Sequence, residues 1–239
     1  MKVSDFNLKQ TLECGQCFNF EKVSESESED IKDCRYEYNV IACGKMLNIR
    51  QESDELIFRN ASDEDVQKVW IPYFDLERDY RHIKDMIIKA DPVLEPVIER
   101  YYGIRILNQD FEETLLSFII SQNKSIPQIK QLVRRIEDTY GPETGGGYHA
   151  FPDLEKLNEI TEQDFRDMKT GFRAPYLRDA IDRMYKGSIK GEELRKMDFH
   201  AAKSELMKIK GVGDKVANCV LLFGLGFRNE FPVDVWIKR

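Results

Sequence analysis

The sequence lacks any apolar run near the roughly 18 residues that a membrane-spanning helix requires. No apolar stretch follows Met1, so no secretory signal peptide is expected. The 5 cysteines are an odd number, and in a chain without such a signal they indicate reduced thiols rather than disulfides. We therefore expect an intracellular protein that does not contact a membrane.

Metal-ligand patterns are also scarce in the sequence. The 3 histidines are scattered and show no ligand spacing. Cys14 and Cys17 have the spacing of a redox or metal pair, and Cys34 and Cys43 could complete four ligands, but eight residues rather than two separate the second pair. We expect no metal and no other cofactor. A zinc or redox protein built on Cys14 and Cys17 is kept as an alternative.

Positive charge is in deficit, but the deficit is uneven. The 239 residues carry 36 Lys and Arg against 43 Asp and Glu, a net charge of -7. Residues 1–95 hold 13 basic and 21 acidic side chains, whereas residues 96–239 hold 23 and 22. If the protein binds a polyanion such as nucleic acid, we expect the later part to make the contacts.

The early part of the chain has the pattern of strands and turns. Bulky and β-branched side chains recur with partial alternation over residues 35–41, 46–50 and 55–59. The acidic stretch 24–30 has no apolar anchor, which predicts a loop. These patterns predict a small antiparallel sheet.

After about residue 65 the period becomes helical. Asp110 predicts the start of one helix, and Ser125 with Gln128 has the spacing of a capping box whose helix should end at Gly141. Further helices are expected over 152–168, 175–186 and 199–209. The predicted fold class is α+β. An antiparallel sheet domain with a flanking helix is expected over residues 1–95, and a larger, nearly all-α region over residues 96–239.

Gly211, Val212 and Gly213 join two helical patterns and predict a helix-hairpin-helix at about 199–225. Two glycines allow a tight turn whose backbone approaches a ligand closely, and the next helix begins with unpaired N–H groups. Such a turn suits a phosphate of DNA, a contact that positions a protein without reading sequence. A turn of this kind is also common between helices that bind nothing.

Lys215 lies in the first turn of the second helix, and Cys219 follows four residues later on the same face. Asp234 stands at the expected start of a further helix. If these helices pack, an amine and a carboxylate face one pocket, an arrangement suited to covalent amine catalysis at a sugar carbon. Taken singly, Lys215 also fits a surface lysine, and Asp234 also fits a helix N-cap.

Four ordered segments carry a resemblance to a known family: Cys14–Phe20, Leu116–Ile126, Thr170–Tyr176, and the hairpin with Lys215 and Val233–Asp234. Over most of its length the sequence resembles the helix-hairpin-helix DNA glycosylase superfamily, in particular its 8-oxoguanine DNA glycosylase branch. The resemblance implies a bifunctional glycosylase/AP lyase that flips 8-oxoguanine out of duplex DNA and excises it in base-excision repair, preferably opposite cytosine. We expect a monomer, in the cytoplasm or nucleoid of a prokaryote or the nucleus of a eukaryote.

The resemblance implies a role for each matched residue. Lys215 would attack C1′ and form a Schiff base that permits β-elimination, while Asp234 would stabilise the oxocarbenium-like transition state. Gly15 would offer its carbonyl to N7–H, a proton that 8-oxoguanine has and guanine lacks. Cys219 would pack on the flipped base.

The remaining implied roles are contacts with the duplex. Asn123 would fill the gap left by the flipped nucleotide, Phe172 would wedge the base stack, and Arg173 would contact the orphaned cytosine. The hairpin residues Lys210, Gly211, Val212 and Gly213 would bind the phosphate backbone of the DNA. Animal members of the branch have an arginine where this chain has Gln128, which implies relaxed selectivity for the opposite base.

Two other functions stay open at this point. The same amine chemistry could act on oxidised pyrimidines, as in the endonuclease III branch, or the chain could be a noncatalytic DNA-binding module that keeps only the hairpin. The family continues past the position of Arg239 with further helices that contact the lesion base, so the resemblance implies either a chain truncated at its C-terminus or a lesion pocket that lacks one wall.

Overall fold

The structure is a computed structural model that describes residues 1–26, 35–229 and Pro232. The chain divides into two compact units. The first comprises Met1–Val40 and Met46–Asn108, and the second comprises Ile41–Lys45 and Gln109–Arg239.

A four-stranded antiparallel sheet forms the first part of the chain. Its strands lie in chain order: β1 Phe20–Ser26, β2 Arg35–Ala42, β3 Lys45–Glu52 and β4 Glu55–Arg59. Buried and partly exposed residues alternate along β3 because successive side chains point to opposite faces. The predicted sheet is confirmed. The predicted loop over 24–30 is wrong for its first residues, since β1 pairs with β2 as far as Ser26, and residues 27–34 lie outside the described chain.

The remaining elements of the first unit are short helices: α1 Leu8–Glu13, α2 Asp63–Asp65, a π-helical segment Val66–Trp70, α3 Ile71–Tyr73, α4 Tyr80–Ala90, a 3-10 turn Pro92–Leu94 and α5 Glu95–Arg100. Trp70, Tyr73 and Phe74 are buried. The Tyr73 ring meets the other two edge-on, with centroids 5.9 and 5.0 Å away.

Arg105 holds the N-terminal segment of this unit in place. Its buried guanidinium donates hydrogen bonds to the backbone carbonyls of Ser4 at 2.8 Å, Asp75 at 2.7 Å and Arg78 at 3.0 Å. Burial lowers the pKa of this arginine. The Arg105 side chain thus provides the hydrogen-bond donors for backbone carbonyls of segments that are far apart in sequence.

The second unit is mostly helical. Its elements are α6 Phe111–Ser121, α7 Ile126–Tyr140, β5 Glu143–Gly145, β6 Tyr148–His149, α8 Leu154–Glu159, α9 Glu162–Asp167, a 3-10 turn Gly171–Arg173, α10 Ala174–Tyr185, α11 Gly191–Leu194, α12 Phe199–Leu206, α13 Asp214–Cys219 and a π-helical segment Val220–Gly224. No helix in the described part of the chain is long and apolar enough to cross a membrane.

Helices α6 and α7 begin at the capping residues that were predicted from the sequence. The Asp110 carboxylate accepts the N–H of Glu113 at 3.2 Å, and Ser125 and Gln128 form a reciprocal capping box. Helix α7 ends at Gly141 as predicted.

One expectation for this unit is wrong. The helix predicted over 152–168 is two helices, because Thr161 caps a new one and its hydroxyl accepts the N–H of Asp164 at 3.2 Å. The prediction of a nearly all-α region is confirmed, with β5 and β6 forming a small antiparallel hairpin around the glycines at 145–147.

Helix α6 forms the centre of this unit, and 8 of its residues, Phe111, Thr114, Leu115, Leu116, Ser117, Phe118, Ile119 and Ile120, are buried. The π-helical segment packs against it. The rings of Phe118 and Phe223 stack with centroids 5.7 Å apart, and a Cβ on Gly224 would lie 3.1 Å from Thr114. The segment that follows Cys219 is therefore fixed against the core.

Candidate active site and nucleic-acid interface

The predicted helix-hairpin-helix is formed by α12, a turn over residues 207–213 and α13. Gly211 has a φ of 77°, which glycine adopts without strain. The N–H of Val212 donates to the carbonyl of Ile209 at 3.1 Å. The N–H groups of Gly211 and Gly213 have no acceptor within the described chain. The turn therefore presents two backbone donors that a ligand can use.

Lys215 and Cys219 lie four residues apart on α13, so they share one helical face. The Lys215 side chain is exposed, whereas Cys219 is buried. Asp214, beside Lys215, forms an ion pair with Lys203 of α12 at 2.7 Å between Oδ1 and Nζ. This pair joins the two helices of the hairpin. Asp234 lies outside the described residues.

A second group of predicted site residues surrounds Arg173. Asn123 is exposed and has a φ of 51°, and Phe172 is 49% exposed. Arg173 is only 4% exposed, and burial lowers its pKa. Its guanidinium donates to the carbonyl of Thr170 at 3.1 Å and also to the carbonyl of Gln122. Arg173 thus links the segment that bears Phe172 to the turn that bears Asn123.

Gln128 is exposed at the start of α7. Its Oε1 accepts the backbone N–H of Ser125 at 3.1 Å, as one half of the capping box. The side chain therefore has a structural role in addition to its predicted place near the opposite base.

Gly15 belongs to the first unit and has a φ of 87° in the turn after α1. The neighbouring Gln16 is buried. Its Nε2 donates to the carbonyls of Thr11 and Arg105, both at 2.8 Å, and its Oε1 accepts the N–H of Leu107 at 2.9 Å. Gln16 was not among the predicted site residues, although an amide side chain next to Gly15 and close to Phe18 and Phe20 indicates a buried polar group that can fix a turn.

Two residues of α10 also contact the hairpin and were not singled out from the sequence. The Asp179 carboxylate accepts the N–H of Lys210 at 2.9 Å, and the Tyr176 ring lies against Gly211. No local signal marks either residue, because the contacts join positions more than thirty residues apart. Among residues 1–26 and 35–229, no three His, Cys, Asp or Glu side chains are grouped as metal ligands would be.

The chain is similar to known proteins over most of its length. A family model for the N-terminal domain of 8-oxoguanine DNA glycosylase matches residues 1–115. N-glycosylase/DNA lyase OGG1 of Arabidopsis thaliana is 26% identical over 247 residues, which cover 98% of this chain and 65% of that protein. The N-glycosylase/DNA lyase of Saccharomyces cerevisiae is 29% identical over 99% of this chain and 67% of its own length. The chain thus spans about two thirds of the length of these relatives.

A solved structure gives a more extensive match. The crystal structure of Clostridium acetobutylicum 8-oxoguanine glycosylase/lyase, in complex with dsDNA containing cytosine opposite to 8-oxoG, superposes with a TM-score of 0.86 at 39% identity. The match covers 98% of this chain and 78% of that one. The sheet, the helical unit and the hairpin are those of a helix-hairpin-helix DNA glycosylase. Within that class, the chain belongs to the 8-oxoguanine DNA glycosylase family.

Proposed function

We propose that the protein is a bifunctional DNA glycosylase/AP lyase that removes 8-oxoguanine from duplex DNA. The observation that carries the proposal is the position of Lys215, an exposed amine in the first turn of α13, directly after a turn with two available backbone donors. The 39% identity to a solved glycosylase/lyase over 98% of the chain supports the same activity.

Lys215 is the nucleophile in this mechanism. Its neutral amine attacks C1′ of the damaged nucleotide, the glycosidic bond breaks, and the electron pair of that bond leaves with the base, which takes up a proton. Opening of the sugar ring gives a Schiff base between the lysine nitrogen and C1′. Loss of a proton from C2′ then expels the 3′ phosphate by β-elimination, which cuts the strand. Asp234 stabilises the positive charge that develops on the sugar.

Selection of the lesion rests on Gly15 and Cys219. The Gly15 carbonyl accepts a hydrogen bond from N7–H of 8-oxoguanine, whereas with guanine it would face an unprotonated N7 and lose its partner. The hydrogen bonds of Gln16 to Thr11, Arg105 and Leu107 support this role, because they fix the neighbouring backbone before a ligand arrives. Cys219 packs against the flipped base.

Contacts with the duplex use the hairpin and the residues around Arg173. The N–H groups of residues 210–213 that are not used inside the protein bind a phosphate. The exposed ring of Phe172 wedges the base stack, and Asn123 fills the gap opposite the orphaned cytosine. Arg173 contacts that cytosine; its Nε–H is buried and has no partner within the described residues, so the contact requires the side chain to become more exposed when DNA binds.

Borohydride trapping tests the proposal. A duplex with a single 8-oxoguanine opposite cytosine is incubated with the native chain, with Lys215→Gln, and with Lys196→Gln, which removes an exposed amine elsewhere on the same unit. We expect a covalent complex with the native chain and the Lys196→Gln variant, and none with Lys215→Gln.

The same experiment separates the alternatives. Trapping on a duplex that holds an oxidised pyrimidine, but not on one with 8-oxoguanine, would assign the chain to endonuclease III-type chemistry. DNA binding without trapping on either substrate would leave a noncatalytic binding module. Trapping that persists in Lys215→Gln would place the nucleophile on another residue.

A further inference from the structure

The hairpin turn rests on a carboxylate of helix α10. Oδ2 of Asp179 accepts the backbone N–H of Lys210 at 2.9 Å, and it also accepts Nε–H of Arg183 at 2.9 Å, one turn further along the same helix. The Lys210 N–H is therefore already used by Asp179, so we do not count it among the donors offered to a phosphate. A single oxygen atom with two donors fixes the start of the turn to α10.

A second contact holds the turn at the next residue. A Cβ on Gly211 would lie 2.2 Å from Cδ2 of the Tyr176 ring, so the ring and the turn backbone are in direct contact. Tyr176 lies three residues before Asp179 in α10, on the same helical face. The ring also meets Phe172 edge-on with centroids 6.0 Å apart. Helix α10 thus holds both the hairpin and the side chain that we assign to the wedge.

The negative charge of Asp179 and its hydrogen bond to the turn should have opposite effects on DNA binding. A carboxylate beneath a turn that binds phosphate repels DNA, so removal of a negative charge should by itself strengthen binding. Burial acts to raise the pKa of Asp179, but the hydrogen bonds from Lys210 and Arg183 and their positive charges outweigh it and hold the pKa below its ordinary value. The side chain is therefore ionised at neutral pH, and Arg183 offsets its charge locally.

We propose that Asp179 is a positioning residue for DNA binding. It fixes the turn so that the N–H groups of Gly211 and Gly213 already face outward, in the geometry that a phosphate oxygen requires. This role rests on the proposed function of the hairpin. It predicts a loss of DNA affinity when the acceptor oxygen is removed together with its negative charge, as in Asp179→Ala, which is the opposite sign to simple electrostatics.

Three variants of the full chain test the role. Asp179→Ala removes the acceptor, and Asp179→Asn keeps an amide oxygen that can accept from Lys210. Asp182→Ala is the matched control, because it removes a carboxylate from the same helix that pairs with Arg178 at 2.6 Å and does not contact the hairpin. Affinity for undamaged duplex is measured by fluorescence anisotropy over a series of salt concentrations. The excision rate is measured at saturating damaged duplex, and thermal unfolding shows that each variant is folded at the assay temperature.

Asp179→Ala is expected to raise Kd by about tenfold, the effect of losing one charge-assisted hydrogen bond that orders the turn. Asp182→Ala should bind as tightly as the native chain or slightly more tightly, and Asp179→Asn should restore most of the lost affinity. The saturated excision rate should change by less than about twofold in all three variants, since turn positioning affects binding rather than chemistry.

Equal affinity of Asp179→Ala and Asp182→Ala, in a native chain that binds DNA, would overturn the positioning role and leave the proposed function intact. An Asn variant that binds as weakly as the Ala variant would also overturn it, because the charge and not the acceptor would then be responsible. A native chain that fails to bind duplex DNA would overturn both proposals.

Discussion

The guanidinium of Arg173 donates a hydrogen bond to the backbone carbonyl of Gln122, and this bond joins the 3-10 turn Gly171–Arg173 to the C-terminus of α6. The next residue, Asn123, has left-handed backbone dihedral angles. The two exposed residues that we assign to the duplex gap, Phe172 and Asn123, are therefore connected through one buried side chain.

Arg173→Ala should lower the free energy of unfolding by about 2 kcal/mol, because it removes the side-chain donor to the partly buried carbonyl of Gln122 and one of the two donors to the carbonyl of Thr170. Urea denaturation followed by circular dichroism measures the change. Arg166→Ala is the control, since it breaks an exposed pair with Glu162 worth less than about 0.5 kcal/mol. Equal effects of the two substitutions would show that Arg173 does not stabilise the fold.

Gly211→Ala should destabilise the protein by about 2–4 kcal/mol, whereas Gly213→Ala should cost less than about 1 kcal/mol. Gly211 has a positive φ, and a methyl group there would collide with Tyr176, while a Cβ on Gly213 has open space around it. Thermal or chemical unfolding of the two variants makes the comparison. Adding Tyr176→Ala to Gly211→Ala should recover part of the loss by removing the collision, and an additive loss instead would contradict the contact.

Glu112 should make stability depend on pH. Burial, together with the charge and hydrogen bond of Asp110, raises its pKa to about 7. Because the pKa of Glu112 in the folded protein lies above the ordinary glutamate pKa of 4.5, ionisation of this side chain costs stability. The cost is absent below 4.5, grows as the pH rises towards about 7, and is constant above that.

Glu112→Gln is therefore expected to raise the free energy of unfolding by about 1 kcal/mol near pH 8, after allowance for partial exposure, and to change it little near pH 4.5. Denaturant titrations at both pH values provide the measurement. Glu112 and Glu192 both line a cavity of about 340 Å³, so Glu192→Gln controls for the removal of one negative charge at this place. A Glu112→Gln gain of equal size at both pH values would contradict the raised pKa.

Gln128→Arg should have two separable effects. It removes the acceptor for the Ser125 N–H and so should lower stability by about 0.5–1 kcal/mol. It also introduces the arginine that animal members of the branch have at this position. If that arginine helps to select cytosine, single-turnover excision should favour cytosine over adenine opposite the lesion more strongly than in the native chain. Gln128→Glu keeps the cap without the positive charge, and a gain of selectivity in that variant would be evidence against the assigned role.

Local signals explain how much of the fold could be predicted. Alternation predicted β2 to β4 within one or two residues, and the caps at Asp110 and Ser125 predicted where α6 and α7 begin, because both features depend on a few neighbouring residues. The break before α9 also had a local signal, since Thr161 with Asp164 is a capping box, but the apolar period across it favoured one long helix.

The site was predictable only in part. Lys215 and Cys219 share a helix face because of their spacing, and Gly211 was identifiable from its turn. The residues that hold this backbone in place were not predictable. Asp179, Tyr176 and Arg173 contact backbone groups that are far away in sequence, across packed helices. Tertiary contacts of this kind leave no pattern within a window of neighbouring residues. The predicted role of Asp234 lies on a residue outside the described chain, and it stays a prediction.

The π-helical segment Val220–Gly224 sets a limit on how this chain can vary in length. It adds width to the helix that bears Lys215, and Arg195 donates to the Gly224 carbonyl at 2.9 Å to hold its end. Deletion of one residue there would remove the wide turn, return the segment to α-helical spacing and shift Phe223 and Gly224 out of their contacts with Phe118 and Thr114. Both the length of this segment and the identity of Gly224 are therefore expected to be under selection.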